Sequence, residues 1–151
     1  MKWIGIALLV VVILVIIRNE TTPANIGVKE GGLRPCPTTP NCVLSGAVDP
    51  VHAIDPLPVA TKNPLTLIED FFTSHYIAKV VKKTDNYLHI VISTPFFHFK
   101  DDLEFLVNKG DQNISVRSAS RIGYSDRGVN RRRIEKLRAF LNMKEKEGEN
   151  L

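Results

Sequence analysis

The chain opens with an unbroken apolar run. Trp3 to Ile17 is fifteen residues without a charge, and Gly5 is the only one that weakens a helix. A run with no polar face predicts a helix that is apolar all round, the pattern of a membrane span. Fifteen helical residues rise about 22 Å, against a hydrocarbon core of roughly 30 Å. Lys2 and Arg18 flank the run and can snorkel outward to lengthen the usable span. A cleaved signal peptide has an apolar region of similar length, but it carries a longer basic head and a small-x-small cleavage site. Here the head is one lysine and Thr22-Pro23-Ala24 is a poor site, so a retained anchor is expected. Asn19 to Leu33, rich in Thr, Gly and charge, reads as a flexible tether.

Further on the period changes. Val43 to Lys62 holds Pro50, Pro56 and Pro58 and no sustained alternation, which predicts a long ordered loop or a few short extended pieces. Asn63 can cap a helix that has Pro64 at its first position, and Leu65, Ile68, Phe71 and Phe72 give it one apolar face through about His75. Tyr76 to Lys83 alternates, Thr84-Asp85-Asn86 has turn chemistry, and Tyr87 to Thr94 follows as a strand. That turn opposes Val80 to Ile90 and Ala78 to Ile92. In the next hairpin Leu103, Phe105 and Val107 alternate with Asp102, Glu104 and Leu106, and Gly110-Asp111 suits a two-residue II′ turn. Its register opposes Val107 to Ile114, Phe105 to Val116, Leu103 to Ser118 and, on the other face, Glu104 to Arg117. A last helix, capped by Ser125 or Asp126, buries Ile134, Leu137 and Leu141, with Phe140 widening the stripe. The expected fold is α+β: a single four-stranded antiparallel sheet of two hairpins, a helix before and a helix after it, and an N-terminal transmembrane helix.

Length and charge bound this picture. The 151 residues divide into an anchor (1–18), a linker (19–35), a globular domain (36–143) and a charged tail (144–151) expected to fray. With Lys2 and Arg18 set aside, 18 basic side chains stand against 16 acidic ones. That near balance lacks the one-sided excess of a nucleic-acid-binding surface.

Cys36 and Cys42, in PCPTTPNC, are the only cysteines. A zinc site needs further ligands at spacings the neighbouring sequence does not supply, and the thioredoxin C-x-x-C pattern is absent. Free thiols remain an alternative, but a proline-stiffened turn favours a structural disulfide and hence an oxidising compartment. A strict count of Lys and Arg near the span slightly favours a cytoplasmic domain. The cysteines decide the expectation: a single-pass protein with its N-terminus cytoplasmic and its domain on the periplasmic or equivalent side.

The candidate chemistry is a charged cluster. Arg117 to Arg138 holds eight basic residues against Asp126 and Glu135, and Arg131, Arg132 and Arg133 oppose the dipole of the last helix. Three readings compete. The basic face is solvated; or Asp101, Asp102 and Glu104 pair with Arg117, Arg121 and one helix arginine to lock helix to sheet; or the arginines take an anionic ligand. Asp101-Asp102 resembles a paired-carboxylate catalyst, yet adjacent strand residues point to opposite faces. The four histidines share no metal spacing, Ser118 and Ser120 lack a nucleophile-elbow pattern, and no Gly-rich phosphate loop exists.

Three stretches, CPTTPNCVLS at 36–45, FKDDLEF at 99–105 and VRSASRIGYSDRGVNRRRIEKLR at 116–138, together resemble the family catalogued as domain of unknown function 1499. His52 and Pro56 fit its His-x-x-x-Pro-Leu pattern. The resemblance covers about residues 34–142. It implies a domain found in bacteria and plastids, often behind a membrane or targeting segment, with no agreed biochemical activity. The family motif falls on Asp101, Asp102, Glu104, Arg117, Ser118, Ser120, Arg121, Gly123, Asp126, Asn130 and Arg133, which are carried forward as binding candidates.

The expected function is therefore a membrane-tethered accessory or ligand-binding domain, without a recognisable catalytic constellation and with no cofactor or metal. Its partners would be the membrane, through the first helix, and an anionic ligand or a protein. The alternative is an enzyme acting on an anionic or cell-envelope substrate, with Arg117, Arg121 and Arg133 orienting it and Asp101 or Asp102 as base.

Overall fold

A computed structural model describes residues 2–110 and 112–149. Helix α1 spans Lys2–Glu20, and only Asn19 in it is buried. It is long and apolar enough to cross a membrane, two properties that a signal sequence shares.

The sheet is larger than the hairpin pattern predicts. It has seven strands rather than four. Strands β6 (Ile77–Lys83), β7 (Tyr87–Ser93), β8 (Lys100–Asn108) and β9 (Asn113–Ser120) form the expected antiparallel core. The Pro-rich segment adds β3 (Cys42–Ser45), β4 (Ala53–Ile54) and β5 (Leu57–Pro58). The spatial order is β4-β3-β9-β8-β7-β6, with β5 also pairing with β9. Strands of two to four residues between prolines are too short to show a period, so nothing in the pattern marks them as sheet. Residues 19–33 differ as well. They hold a small hairpin, β1 (Val28–Lys29) with β2 (Gly32–Leu33), and β2 lies against β8 and β9.

The predicted registers hold where they can be compared. Ala78 faces Ile92 and Val80 faces Ile90, after which the ladder shifts between Val80 and Lys82. Val107 faces Ile114, Phe105 faces Val116, Leu103 faces Ser118, and Glu104 faces Arg117. Among the described residues the ladder ends at Asn108 and Asn113, and Gln112 is left-handed with φ 50°. Asp111, half of the expected turn, lies outside the described residues.

Helix α2 (Pro64–His75) starts at Pro64 as expected, but Asn63 makes no side-chain cap bond. Helix α3 (Val129–Glu149) begins three residues after Asp126 and carries the helical conformation through most of the expected tail. Both helices pack on one sheet face: Leu65, Ile68 and Phe72 with Ile134, Leu137 and Leu141 cover Leu88, Ile90, Leu103, Phe105, Ile114 and Val116. The opposite face carries Tyr87, His89, Asp102, Glu104 and Arg117, all of them buried.

Candidate functional site

Strand alternation sends the two aspartates to different layers. Asp101 faces the helices, where Arg133 Nη2 of α3 donates to its Oδ2 at 2.7 Å. Arg133 also donates through Nη1 to Asn130 Oδ1 at 2.9 Å and stands over the Tyr76 ring. Asn130 receives a bond from Ser118 Oγ and donates to Ser120 Oγ, Asp126 and the Asn41 carbonyl. Asp126 caps α3 from outside its first turn, accepting from the Gly128 and Asn130 amides at 2.9 and 2.7 Å. Asn41 is delivered by the loop that Cys36 and Cys42 close, their Cα atoms 5.8 Å apart. Its amide nitrogen donates to the Gly123 carbonyl at 2.8 Å, and Gly123 holds a left-handed φ of 89° that a side chain would strain. His52 secures the same loop, bridging Asp49 and the Thr39 carbonyl.

Asp102 faces the other way. Arg121 grips it with two parallel bonds, Nε to Oδ2 at 2.8 Å and Nη2 to Oδ1 at 2.9 Å, and His89 Nε2 approaches Oδ1 at 2.8 Å. Burial pushes the Asp102 carboxyl up, but the His89 and Arg121 bonds and the Arg121 charge together outweigh it and hold it below the ordinary aspartate value. Beside it Glu104 accepts from Tyr87 Oη at 2.7 Å, the Gly27 amide at 2.6 Å and Arg117 Nη1 at 3.0 Å. Burial, then the bond to Glu104, raises the Tyr87 phenol well above its usual range, so it stays a donor. Gly27 has φ 102°, which leaves its N–H free to point at the carboxylate.

This second cluster also holds the end of α1. Arg121 Nη1 donates to the carbonyls of Asn19 and Glu20 at 3.1 and 3.2 Å. Arg18 Nε donates to the Arg121 carbonyl at 3.2 Å. The Asn19 side chain donates to the His98 carbonyl and accepts from the Lys100 amide, both at 2.9 Å, and Lys100 pairs with Glu20.

A carboxylate held ionised by a bidentate arginine and a histidine is set up for structure rather than for accepting a proton near neutrality. The three guanidinium groups read as candidates for an anion, Arg117, Arg121 and Arg133, are buried and each is paired with a carboxylate. The remaining helix arginines fasten loops. Arg131 donates to the Ala53 and Val51 carbonyls, and Arg138 to those of Pro56 and Asp55. Among the described residues no group of three or more His, Cys, Asp or Glu is placed to hold a metal ion.

A cleft reaches the helix-side cluster at Asp101. It has about 290 Å³, with Phe99, Ile122 and Val129 as apolar lining and Thr94, Lys100, Asp101, Ser120, Ser125 and Asp126 as polar lining.

A family model described as a protein of unknown function, DUF1499, matches residues 32–141. The chain belongs to the DUF1499 family. No curated protein and no solved structure matches it significantly. The family match spans residues 32–141 and leaves the chemistry to the geometry.

Of the residues read from the sequence as binding candidates in this DUF1499 protein, Asp101, Ser118, Ser120, Asp126, Asn130 and Arg133 meet on the helix side. Asp102, Glu104, Arg117 and Arg121 meet on the other. They form two hydrogen-bonded clusters on opposite faces of the sheet. His89, Tyr87, Asn41, Asn19 and Gly27 were not among the sequence candidates. For His89 and Tyr87 the signal was present. Pairing Ser93 with Lys100 across the β7–β8 connection puts both on the face of Asp102 and Glu104. The Thr94–Phe99 connection is not a two-residue turn, so no register followed from it. Asn19, Gly27 and Asn41 act from outside the periodic elements, where spacing carries no signal.

Proposed function

We propose that this DUF1499 protein is a single-pass, membrane-tethered binding domain, held rigidly at the base of its anchor. Its N-terminus is cytoplasmic and its body lies on the oxidising side. The carrying observation is the buried seat of Asn19, whose side chain makes two backbone bonds while Arg121 takes the carbonyls of residues 19 and 20. A leader discarded after translocation has no need of such contacts, and cleavage near residue 24 would empty them. The disulfide supports the oxidising side. The cleft beside Asp101 is the binding surface. Apolar walls next to hydroxyl and carboxylate acceptors suit a small amphiphile with a donor-bearing head, since Lys100 in the lining and the buried arginines are already committed to carboxylates.

Fractionation tests the tether. Full-length protein should pellet with membranes, resist high salt and be released by detergent; a soluble form starting near Asn25 would overturn the reading. For the cleft, a small molecule detected by native mass spectrometry on the detergent-extracted chain should disappear in a folded Val129→Trp variant. A ligand retained at full occupancy in that variant would place binding elsewhere.

A further inference from the structure

Four exposed aromatic side chains stand outside α1 among the described residues: Phe96 at 90%, Phe97 at 75%, Tyr124 at 74% and Phe99 at 43% exposure. They occupy one end of the sheet. The β7–β8 loop, Thr94–Phe99, precedes Lys100 at the start of β8, and Tyr124 follows Ser120 at the end of β9, opposite Asp101. Single exposed apolar residues are ordinary, but three phenylalanines within four positions form a contiguous patch of the kind that marks an interaction surface.

The loop is built to present them. The Thr94 amide donates to the Phe99 carbonyl, the His98 amide to the Thr94 carbonyl, and the Phe99 amide to Thr94 Oγ1, so the loop closes on itself. Phe97 and Phe99 stack with centroids 5.3 Å apart. No acidic residue lies between Tyr87 and Lys100.

What covers the patch follows from where α1 leaves the body. Asn19 is fastened to His98 and Lys100, the residues on either side of Phe99. It lies two residues beyond Ile17, the last of the apolar run, and α1 is helical through both. Two helical residues advance about 3 Å along the axis, so the loop backbone sits at the depth where the apolar run ends. Arg18 marks the same level, the position of headgroup-facing basic residues, with Lys100 beside it paired to Glu20, and aromatic rings favour that interfacial zone. A short apolar run with no spacer leaves the body no room to stand away from the lipid.

We propose that the Thr94–Phe99 loop, together with Tyr124, is a second membrane contact that inserts phenylalanine side chains into the bilayer interface where α1 emerges. This rests on the retained-anchor reading. The two contacts fix the tilt of the domain, and because Phe99 also lines the cleft, the cleft opens at the lipid surface.

The native chain has one tryptophan, Trp3, toward the other end of α1. The test uses the full chain in phospholipid vesicles containing lipids spin-labelled on the upper acyl chain. Phe97→Trp in a Trp3→Phe background should give blue-shifted emission that the labelled lipid quenches. Val48→Trp in the same background, at a 99%-exposed loop position, should stay red-shifted and unquenched. Quenching of the unmodified chain at Trp3 reports insertion of α1. If Trp3 is quenched and the Phe97→Trp indole is not, the anchor stands and the second contact is refuted. If neither is quenched, the anchor reading falls and takes this inference with it. A blue shift without lipid quenching would mean that protein, such as a second copy, covers the loop, which also overturns the proposal. Equal quenching of the Val48→Trp indole would show non-specific adsorption and do the same.

Discussion

Asp101 and Asp102 share a peptide bond and divide the molecule between them. Asp101 joins the sheet to α3 through Arg133 and lines a cleft open to solvent. Asp102 joins the sheet to the stem of α1 through Arg121, and nothing but protein surrounds it, with His89 on its other side. Both are buried ion pairs, yet one borders a place where a ligand can sit and the other is sealed. On the proposed reading, binding belongs to the first side and tethering to the second. The helix side is a junction with an accessible rim, and the far side is a clasp. A buried pair adds little net stability over apolar packing, but it loses much when one partner goes, so such pairs fix geometry more than they add stability.

The largest effects should come from breaking the clasp. Asp102→Ala strands Arg121 in a buried site, and a loss of about 3–5 kcal/mol is expected in denaturant unfolding. Asp101→Ala should cost less, because Arg133 also borders an open hollow with Tyr76 and Arg132 and can turn toward water there; equal losses would erase the distinction between the two faces. The acid limb carries the same sign. Asp102 titrates below its ordinary 3.8 in the folded chain, so its contribution is complete above that value and is lost as pH falls through the lowered one. Asp102→Asn should flatten this limb, and Asp101→Asn should leave the Asp102 part of it standing. At the alkaline end Tyr87 acts oppositely. Its raised pKa gives a contribution that is full below 10.0 and declines as pH rises further, and Tyr87→Phe should remove that slope.

A middle effect sharpens the helix side. Replacing Cys36 and Cys42 by serine should cost about 2 kcal/mol from loop entropy. Asn41 should lose order with it, which would appear as shifted resonances at Gly123 and Asn130 rather than at His89. The smallest effect belongs to the outer edge of the clasp. Lys100 and Glu20 pair where Glu20 is largely exposed to screening water, so Lys100→Ala should shift the denaturant midpoint less than any of the changes above.

Much of this was legible in the residues. The two hairpins, the faces of both body helices and the Glu104–Arg117 pair follow from alternation and turn length. The expectation that three carboxylates pair with Arg117, Arg121 and a helix arginine matches the bonds observed. What escaped has a common cause. Strands β3, β4 and β5 are too short to show a period, so a seven-stranded sheet read as four. The segment after Ile17 looked flexible because Thr, Gly and charge are what tethers contain. Yet its Gly27 supplies an N–H at a left-handed φ, and its Asn19 supplies an amide to a loop 79 residues away. Such contacts depend on tertiary placement, which local pattern does not encode. Asn63 errs in the opposite direction: a good capping residue type by sequence, it makes no cap bond once α2 is packed.

The most direct test of the clasp is hydrogen exchange at the Gly27 amide, read by NMR in the detergent-solubilised full chain. That N–H donates to Glu104, a fully buried carboxylate, across what would otherwise be a tether. The account predicts slow exchange in the native protein, and fast exchange in a folded Glu104→Leu variant, which has no acceptor, while the β7 and β8 amides stay protected. A Gly27 amide exchanging at the rate of an unstructured glycine in the native chain would contradict it.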